Sequence, residues 1–454
     1  MRVEPYSYDF TGGDLPVELG RSFWLDGGPL SRTFFDALPA RSADLLDVAM
    51  AVYTADRRSK RDFRRGYTGQ RVIEVRVGLR DPAHWAHREL SQGLQELLYW
   101  VSEDEWSFQF DKREGGPSAA EAEHYLFALP PESPVTVSLF SGGLDSIAGL
   151  ACHLQDTSEA SRVLVSGSTH NRLKHRQQAQ VASIRTALEE HTPGAGARVS
   201  HVAVPFGIRA GRGQREEKGQ RTRALVFLAL GAVAAVQARA DTLWVYENGI
   251  GALNLPLNES QLGVDNYRGV HPRSLRMFED LVERALDQSV HIRNPFLFRT
   301  KAEMCRGLLA AGLVDAVRDT VSCDSYPLRV KDTPQCGSCT SCVLRRQALS
   351  ASGLTRYDSS EAYRDDLSEP STLSKDRLFG LEVMRGQVYR LDQCLSVADP
   401  WLALTTEYPE LARTQAEVAE HEGLEPGCVR DQLVRLYQSY VCEWRLFSQQ
   451  LARC

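Results

Sequence analysis

Between residues 134 and about 250 the chain alternates short apolar runs with longer helical patterns. Val135, Val137, Leu139 and Phe140 follow Pro134 and predict a buried strand; Ile147, Leu150 and Ala151 then carry helical spacing. Arg162 to Val165 predicts the next strand, His175 to Glu190 a helix and Val199 to Val204 a third strand. Thr222 to Ala238 predicts a long apolar helix, and Thr242 to Tyr246 a closing strand. Alternation of this kind predicts an α/β fold, a parallel sheet with helices on both faces. Ligands of such sheets sit beyond the carboxyl ends of the strands, where the first strand–helix loop lies.

The flanks read differently. Arg71 to Val77 alternates like a half-buried strand, Leu94 to Val101 is short and amphipathic, and Trp106, Phe108 and Phe110 alternate again. The stretches DKREGGPSAAEAE and LPPESP follow, the first loop-like and the second a proline-rich linker. These features predict an N-terminal α+β domain over residues 1–133. The α/β pattern continues over 134–366 and ends in a cysteine cluster. A helical tail is expected over 367–454, for example Asp431 to Leu451. Gly207 to Arg223 is glycine-rich and basic; it reads either as a solvated loop or as a lid over phosphates.

A length of 454 residues leads one to expect two or three domains, and a net charge of -6 argues against a protein that coats nucleic acid. No apolar run is long enough to cross a bilayer, and MRVEPYSYDF is not a signal peptide. A cytoplasmic location is therefore expected, with the ten cysteines read as thiols or metal ligands rather than disulfides.

The loop SGGLDS, Ser141 to Ser146, opens a helix. A helix start presents free N–H groups and the positive end of the dipole, a seat for an anion. Gly142 and Gly143 let a ligand approach the backbone, and Ser141 and Ser146 add hydroxyls. Asp145 adds negative charge, which either a bridging Mg²⁺ or a helix-capping role would reconcile with an anion site. No Walker-type G-x-x-x-x-G-K-[ST] is present. Farther along, Cys336, Cys339 and Cys342 form C-x-x-C-x-x-C with Cys323 upstream. Four thiolates suit a closed, structural Zn²⁺ site, and the run of three alone also suits an iron–sulfur cluster. Cys152, Cys305, Cys394, Cys428, Cys442 and Cys454 show no ligand spacing.

SGGLDS resembles the PP-loop, S-G-G-x-D-S, of the ATP pyrophosphatases, which have an adenine nucleotide alpha hydrolase-like fold. With the cysteine motif closed by Arg345, residues 134 to about 365 resemble the 7-cyano-7-deazaguanine synthase family, QueC. His175 sits where that family carries the histidine of Y-G-Q-x-H, without the tyrosine–glycine pair. Arg223, Phe227 and Leu228 match R-N-x-x-F-L, with Ala224 for asparagine. Asn294, Pro295 and Thr300 to Glu303 match P-L-x(n)-T-K-A-E, and Thr320, Ser322 and Cys323 match T-x-S-C. The family's purine-recognising D-Y-S-G-Y-P-D-C-R-P-E-F is absent; His271, Pro272, Arg273 and Phe278 take its place, and Glu247 and Asn248 form a new ENG at a strand end.

The resemblance implies that ATP and Mg²⁺ are used, with Zn²⁺ held by Cys323, Cys336, Cys339 and Cys342. Residues Ser141, Gly142, Gly143, Leu144, Asp145 and Ser146 would bind the triphosphate, with Mg²⁺ near Asp145. Arg223 and Lys301 would hold pyrophosphate or a substrate carboxylate, His175 would act as a base, and Glu247, Asn248, His271 and Arg273 would contact substrate. The added N-terminal and C-terminal segments resemble the enlarged QueC-like proteins of antiphage defence clusters, such as QatC of Qat systems and the type IV CBASS relatives. That likeness implies adenylation of a 7-deazaguanine carboxylate and its transfer to an amine, the N-terminus of a partner protein. The competing expectations are a small-molecule nitrile synthase using ammonia and a nucleotide-binding scaffold without turnover. No membrane or direct nucleic-acid partner is expected.

Overall fold

The computed structural model describes residues 4–11, 22–62, 69–123, 135–156, 160–209, 216–217, 219–258, 267–326 and 333–452. The proline-rich linker and part of the glycine-rich basic loop lie outside these residues.

In chain order the N-terminal part comprises β1 (Tyr6–Phe10), β2 (Phe23–Leu25), α1 (Gly28–Phe34), α2 (Ala40–Arg58), β3 (Val72–Leu79), α3 (Pro82–Trp85), α4 (Arg88–Ser102), β4 (Glu105–Lys112) and α5 (Ala119–Ala122). The central part follows as β5 (Val135–Leu139), α6 (Leu144–Asp156), β6 (Ser161–Ser168), α7 (Asn171–His191), β7 (Val199–Ile208), α8 (Arg223–Ala238) and β8 (Thr242–Trp244). It continues through α9 (Gly249–Leu253), α10 (Pro272–Leu286), β9 (His291–Arg293), α11 (Lys301–Ala310) and α12 (Thr340–Ala351). The tail is α13 (Lys375–Leu395), α14 (Pro400–Glu407), α15 (Glu410–Glu422) and α16 (Pro426–Leu451).

The strands pair in two sheets, β1-β3-β4 and β2-β7-β6-β5-β8-β9. All pairings in the larger sheet are parallel except β2 against β7. This is the α/β architecture that the alternating pattern predicts. Its central strand β6 is buried on both faces from Arg162 to Ser168, as a sheet covered by helices requires. Val163 and Val165 of β6 join one core with α8, α10, α2 and α4, while Leu164 between them joins the other with α6, α7 and α11.

The N-terminal part does not stand apart from this sheet. Phe23–Leu25 adds an antiparallel strand to β7, and α2 lies buried between the small sheet and α8 within one continuous core. The tail packs a second core against α9 and α12. Among the described residues no helix is long and apolar enough to cross a membrane.

Candidate active site

The chain leaves β5 at Phe140, whose N–H donates to Val165 O at 2.8 Å, turns through Ser141–Gly143 and enters α6 at Leu144. The two serine hydroxyls meet at 2.7 Å, Ser141 N–H donates to Ser146 Oγ at 3.1 Å, and Gly143 N–H donates to Ser141 Oγ at 3.1 Å. Gly142 has φ 77°, where a side chain is strained, and a Cβ there would push the Gln180 amide away from the loop. Leu144 is fully buried in the core, which leaves only its backbone to serve a ligand.

Helix α7 holds the loop from behind. Gln177 Nε2 donates to Ser141 O at 3.1 Å, and Gln180 Nε2 donates to Gly142 O at 2.9 Å and to Asp319 O at 2.6 Å. Neither glutamine belongs to a motif; their three-residue spacing, which puts both on one face of a helix, is the signal the sequence carries for them.

Strand order makes this end of the sheet special. From β5 the chain winds outward through β6 and β7, then returns to place β8 and β9 on the other side. The crevice between the carboxyl ends of β5 and β8 is thus a topological switch point, where open α/β sheets bind ligands. The loop leaves β5 there, and Glu247 and Asn248 follow β8. Asn248 Nδ2 donates to Asp145 Oδ1 at 2.9 Å and to Glu247 Oε1 at 2.8 Å, while its own Oδ1 caps α9 by accepting from Gly251 N–H at 3.0 Å. Asn294 Nδ2 fixes the Glu247 carbonyl at 2.9 Å.

Lys301 completes the cluster, its Nζ 2.5 Å from Asp145 Oδ2. It is the first residue of α11, whose capping box is made by Thr300 and Glu303, and it is buried. Two carboxylates here face one ammonium. Burial first, and the Asp145 charge second, push Glu247 up to about 8, against the pull of Lys301. Burial drags Lys301 down, but Asp145 and Glu247 outweigh it and hold its pKa above the ordinary value. Two neighbouring carboxylates are the kind of oxygen donors that a divalent cation shared with phosphates would take.

Arg223 begins α8, stacks on Phe227 at 5.1 Å and donates to Gln220 Oε1 at 3.0 Å, while its Nε is buried without a hydrogen-bond partner among the described residues. His175 is exposed on α7 and makes no hydrogen bond or ion pair among the described residues.

His271 and Arg273 are engaged elsewhere. His271 is buried, caps α10 by accepting from Arg273 N–H at 3.2 Å, and lies 3.4 Å from Thr414 Oγ1. Burial, with Arg268 second, lowers its pKa to about 3, so it is neutral. Arg273 pairs with Glu417 at 3.2 Å and stacks on Trp100 at 4.5 Å. Both residues tie α10 to α15 and α4, which are contacts between segments of the chain.

The four cysteines Cys323, Cys336, Cys339 and Cys342 place their sulfurs within 4.8 Å of one another. One tetrahedral zinc at about 2.3 Å from each would space them about 3.8 Å apart, and Cys336 and Cys342 are at 3.9 Å. A cubane would hold four thiolates farther apart, each on its own iron. Backbone N–H groups of Ser325, Cys336 and Cys339 donate to the sulfurs at 3.3–3.4 Å. This cluster is able to hold zinc, and it abuts the loop: Val321 N–H, two residues before Cys323, donates to Gly142 O at 3.5 Å. Arg345, fully buried, ties Thr320 and Ser322 to Asp358 and Tyr363.

Residues 222–353 match the family model described as queuosine biosynthesis protein QueC. A 7-cyano-7-deazaguanine synthase of Novosphingobium aromaticivorans is 30% identical over 250 residues, covering 50% of this chain and 96% of that protein. The chain belongs to the QueC family. Its QueC match takes in Arg223, Lys301 and all four cysteines; the Ser141–Ser146 loop lies ahead of it. Nearly the whole of the QueC relative corresponds to half of this chain, so the remainder is added structure.

Proposed function

We propose that this protein uses ATP to activate a 7-deazaguanine-type carboxylate and then joins the acyl group to an amine. The observation that carries this reading is the SGGLDS loop, set against Asp145, Lys301 and Glu247 at the switch point of a QueC-family chain.

In the first half-reaction a carboxylate oxygen attacks the α-phosphorus of ATP. The new O–P bond replaces the α–β bridging bond, and pyrophosphate leaves with its electron pair. Such transfer needs positioning and charge neutralisation more than covalent help. The N–H groups of Gly142 to Ser146 and the hydroxyls of Ser141 and Ser146 bind the triphosphate. Lys301 and Arg223 meet leaving pyrophosphate or the substrate carboxylate. Asp145, with Glu247 beside it, would hold Mg²⁺, which would supply further neutralisation of phosphate charge.

In the second half-reaction the amine nitrogen bonds to the acyl carbon, the acyl C–O bond to AMP breaks, and AMP departs. The nitrogen must lose a proton. Glu247 takes it in this reading rather than the exposed His175, because Glu247 lies beside Asp145 and is held near neutrality by its burial. Only the ionised carboxylate accepts a proton, so amide formation is expected to rise with pH up to about 8 and then level. Glu247→Gln is expected to slow that step about a hundredfold and to flatten the rise. A pH profile unchanged in the variant would remove Glu247 from this role.

The acceptor we infer is the N-terminus of a partner protein, as in the defence-cluster proteins that the enlarged plan resembles. Intact-mass analysis tests it: candidate partners are incubated with the protein, ATP, Mg²⁺ and 7-carboxy-7-deazaguanine. A mass gain on a partner supports protein transfer. The name of the 30%-identical relative favours a second reading, a nitrile made with ammonia, which would leave every partner unmodified.

A further inference from the structure

Each of the two cations assigned above follows directly on a threonine, and each threonine hydroxyl is held by a carboxylate from outside the family-matching region. Thr222 donates to Asp56 Oδ2 from its hydroxyl at 2.9 Å and from its N–H at 3.3 Å. Thr300 donates from its hydroxyl to Glu443 Oε1 at 2.6 Å while accepting from Glu303 N–H at 3.1 Å. Asp56 belongs to α2 and Glu443 to α16; all four groups are buried. Residues 222–353 match QueC, so Thr222, Arg223, Thr300 and Lys301 fall inside the match and both carboxylates outside it.

Neither grip stands alone. The end of α2 and the chain just after it also hold the segment ahead of Thr222: Glu217 N–H donates to Arg57 O at 2.7 Å, and Arg61 N–H donates to Glu217 Oε2 at 2.9 Å. From α16, Arg435 pairs with Glu303, the other half of the cap before Lys301, at 2.8 Å. A buried carboxylate is costly unless hydrogen-bonded, and each of these two is hydrogen-bonded to its threonine. Asp56 is itself secured by Arg71 at 2.5 Å. Glu443 thus locks the hydroxyl that caps α11, and Asp56 locks the N-cap residue of α8 at both its N–H and its hydroxyl; each hold fixes the start of the helix and the base of the cation that follows.

We propose that Asp56 and Glu443 are positioning residues for Arg223 and Lys301, so that the N-terminal and C-terminal segments complete the ATP site from two sides. This rests on the adenylation reading. The test uses the full chain, measuring kcat and KM for pyrophosphate release with ATP, Mg²⁺ and 7-carboxy-7-deazaguanine. Thr222→Val and Glu443→Met are each expected to lower kcat/KM about tenfold. Thr222→Ser and Glu443→Gln, which keep the hydroxyl and an acceptor oxygen, are expected to restore most of it. Thr222→Val added to Arg223→Ala, and Glu443→Met added to Lys301→Ala, are expected to cost nothing further, because each acts through its cation. Hydrogen exchange should quicken only in the first turn of α8 or α11. Additive losses, or undiminished rates in Thr222→Val and Glu443→Met, overturn the positioning role alone. A wild-type protein that releases no pyrophosphate overturns the adenylation reading, and the positioning role with it.

Discussion

Asp145→Ala is expected to abolish pyrophosphate release while the fold survives. Both halves follow from charge. Asp145 is the acceptor for Lys301 and for Asn248, so its removal frees the ammonium and the amide that define the floor of the crevice beside the loop. It also removes a principal carboxylate available to a bridging cation, and with it the neutralisation that a departing pyrophosphate needs. A fall of at least about a thousandfold is expected, equivalent to about 4 kcal/mol of barrier. Removing one partner of a buried ion pair is commonly destabilising, because a charge is left alone. Here it is not left alone. Glu247, held largely protonated beside Asp145, remains in the field of Lys301 and can ionise in its place once Asp145 is gone. The thermal midpoint should therefore move little, and Glu247 should fall toward the ordinary carboxylate range. Pyrophosphate release by Asp145→Ala at the wild-type rate would overturn the role given to Asp145.

What could be read in the sequence followed locality. The apolar run to Phe140, the glycines and the helical spacing after Ser146 all describe one continuous stretch, and the loop they predict is the loop found. The cysteine cluster was equally legible, because three ligands lie within seven residues and the fourth only thirteen residues before them. Strand and helix positions agreed, and most differences were extensions, such as β7 reaching Ile208 and α7 beginning at Asn171.

Helix α2 was missed for a physical reason. Every residue from Ser42 to Asp56 is buried, since the helix is covered on all sides, so it has no polar face and no amphipathic stripe to detect. His271 and Arg273 were expected at the substrate because they occupy a family recognition segment. The residues that claim them, Thr414 and Glu417, lie on α15, and no local pattern announces a contact across 143 or 144 positions. The same holds for Asp56 with Thr222. Non-local pairing of polar groups leaves no periodic trace in a sequence, whereas a turn or a ligand cluster does.

Cys339→Ser is expected to lower both metal content and stability, and to weaken the active site as a consequence. Cys339 is the residue at which the loop of the cysteine motif passes into α12, with Cys342 in the first turn of that helix. A hydroxyl is a poor zinc ligand at neutral pH, so three thiolates would remain where the geometry is built for four. Metal binding free energy is folding free energy for such a segment, and its loss should release the local structure rather than only the ion. The consequence reaches two ways. Gly380 of α13 lies against Ser338, where a side chain would collide with the Ser338 carbonyl, so the tail depends on the shape of this turn. On the other side the chain runs from Cys323 back through Ser322 and Val321 to Gly142 O. Slackening at the cysteines therefore reaches the loop that is to hold the triphosphate. The expected results are less than one zinc per chain by elemental analysis, a lowered thermal midpoint and slower pyrophosphate release. A chelator should reproduce all three on the wild type and add little to the variant. Unchanged zinc stoichiometry in Cys339→Ser would mean that the four sulfurs, close as they are, do not share an ion.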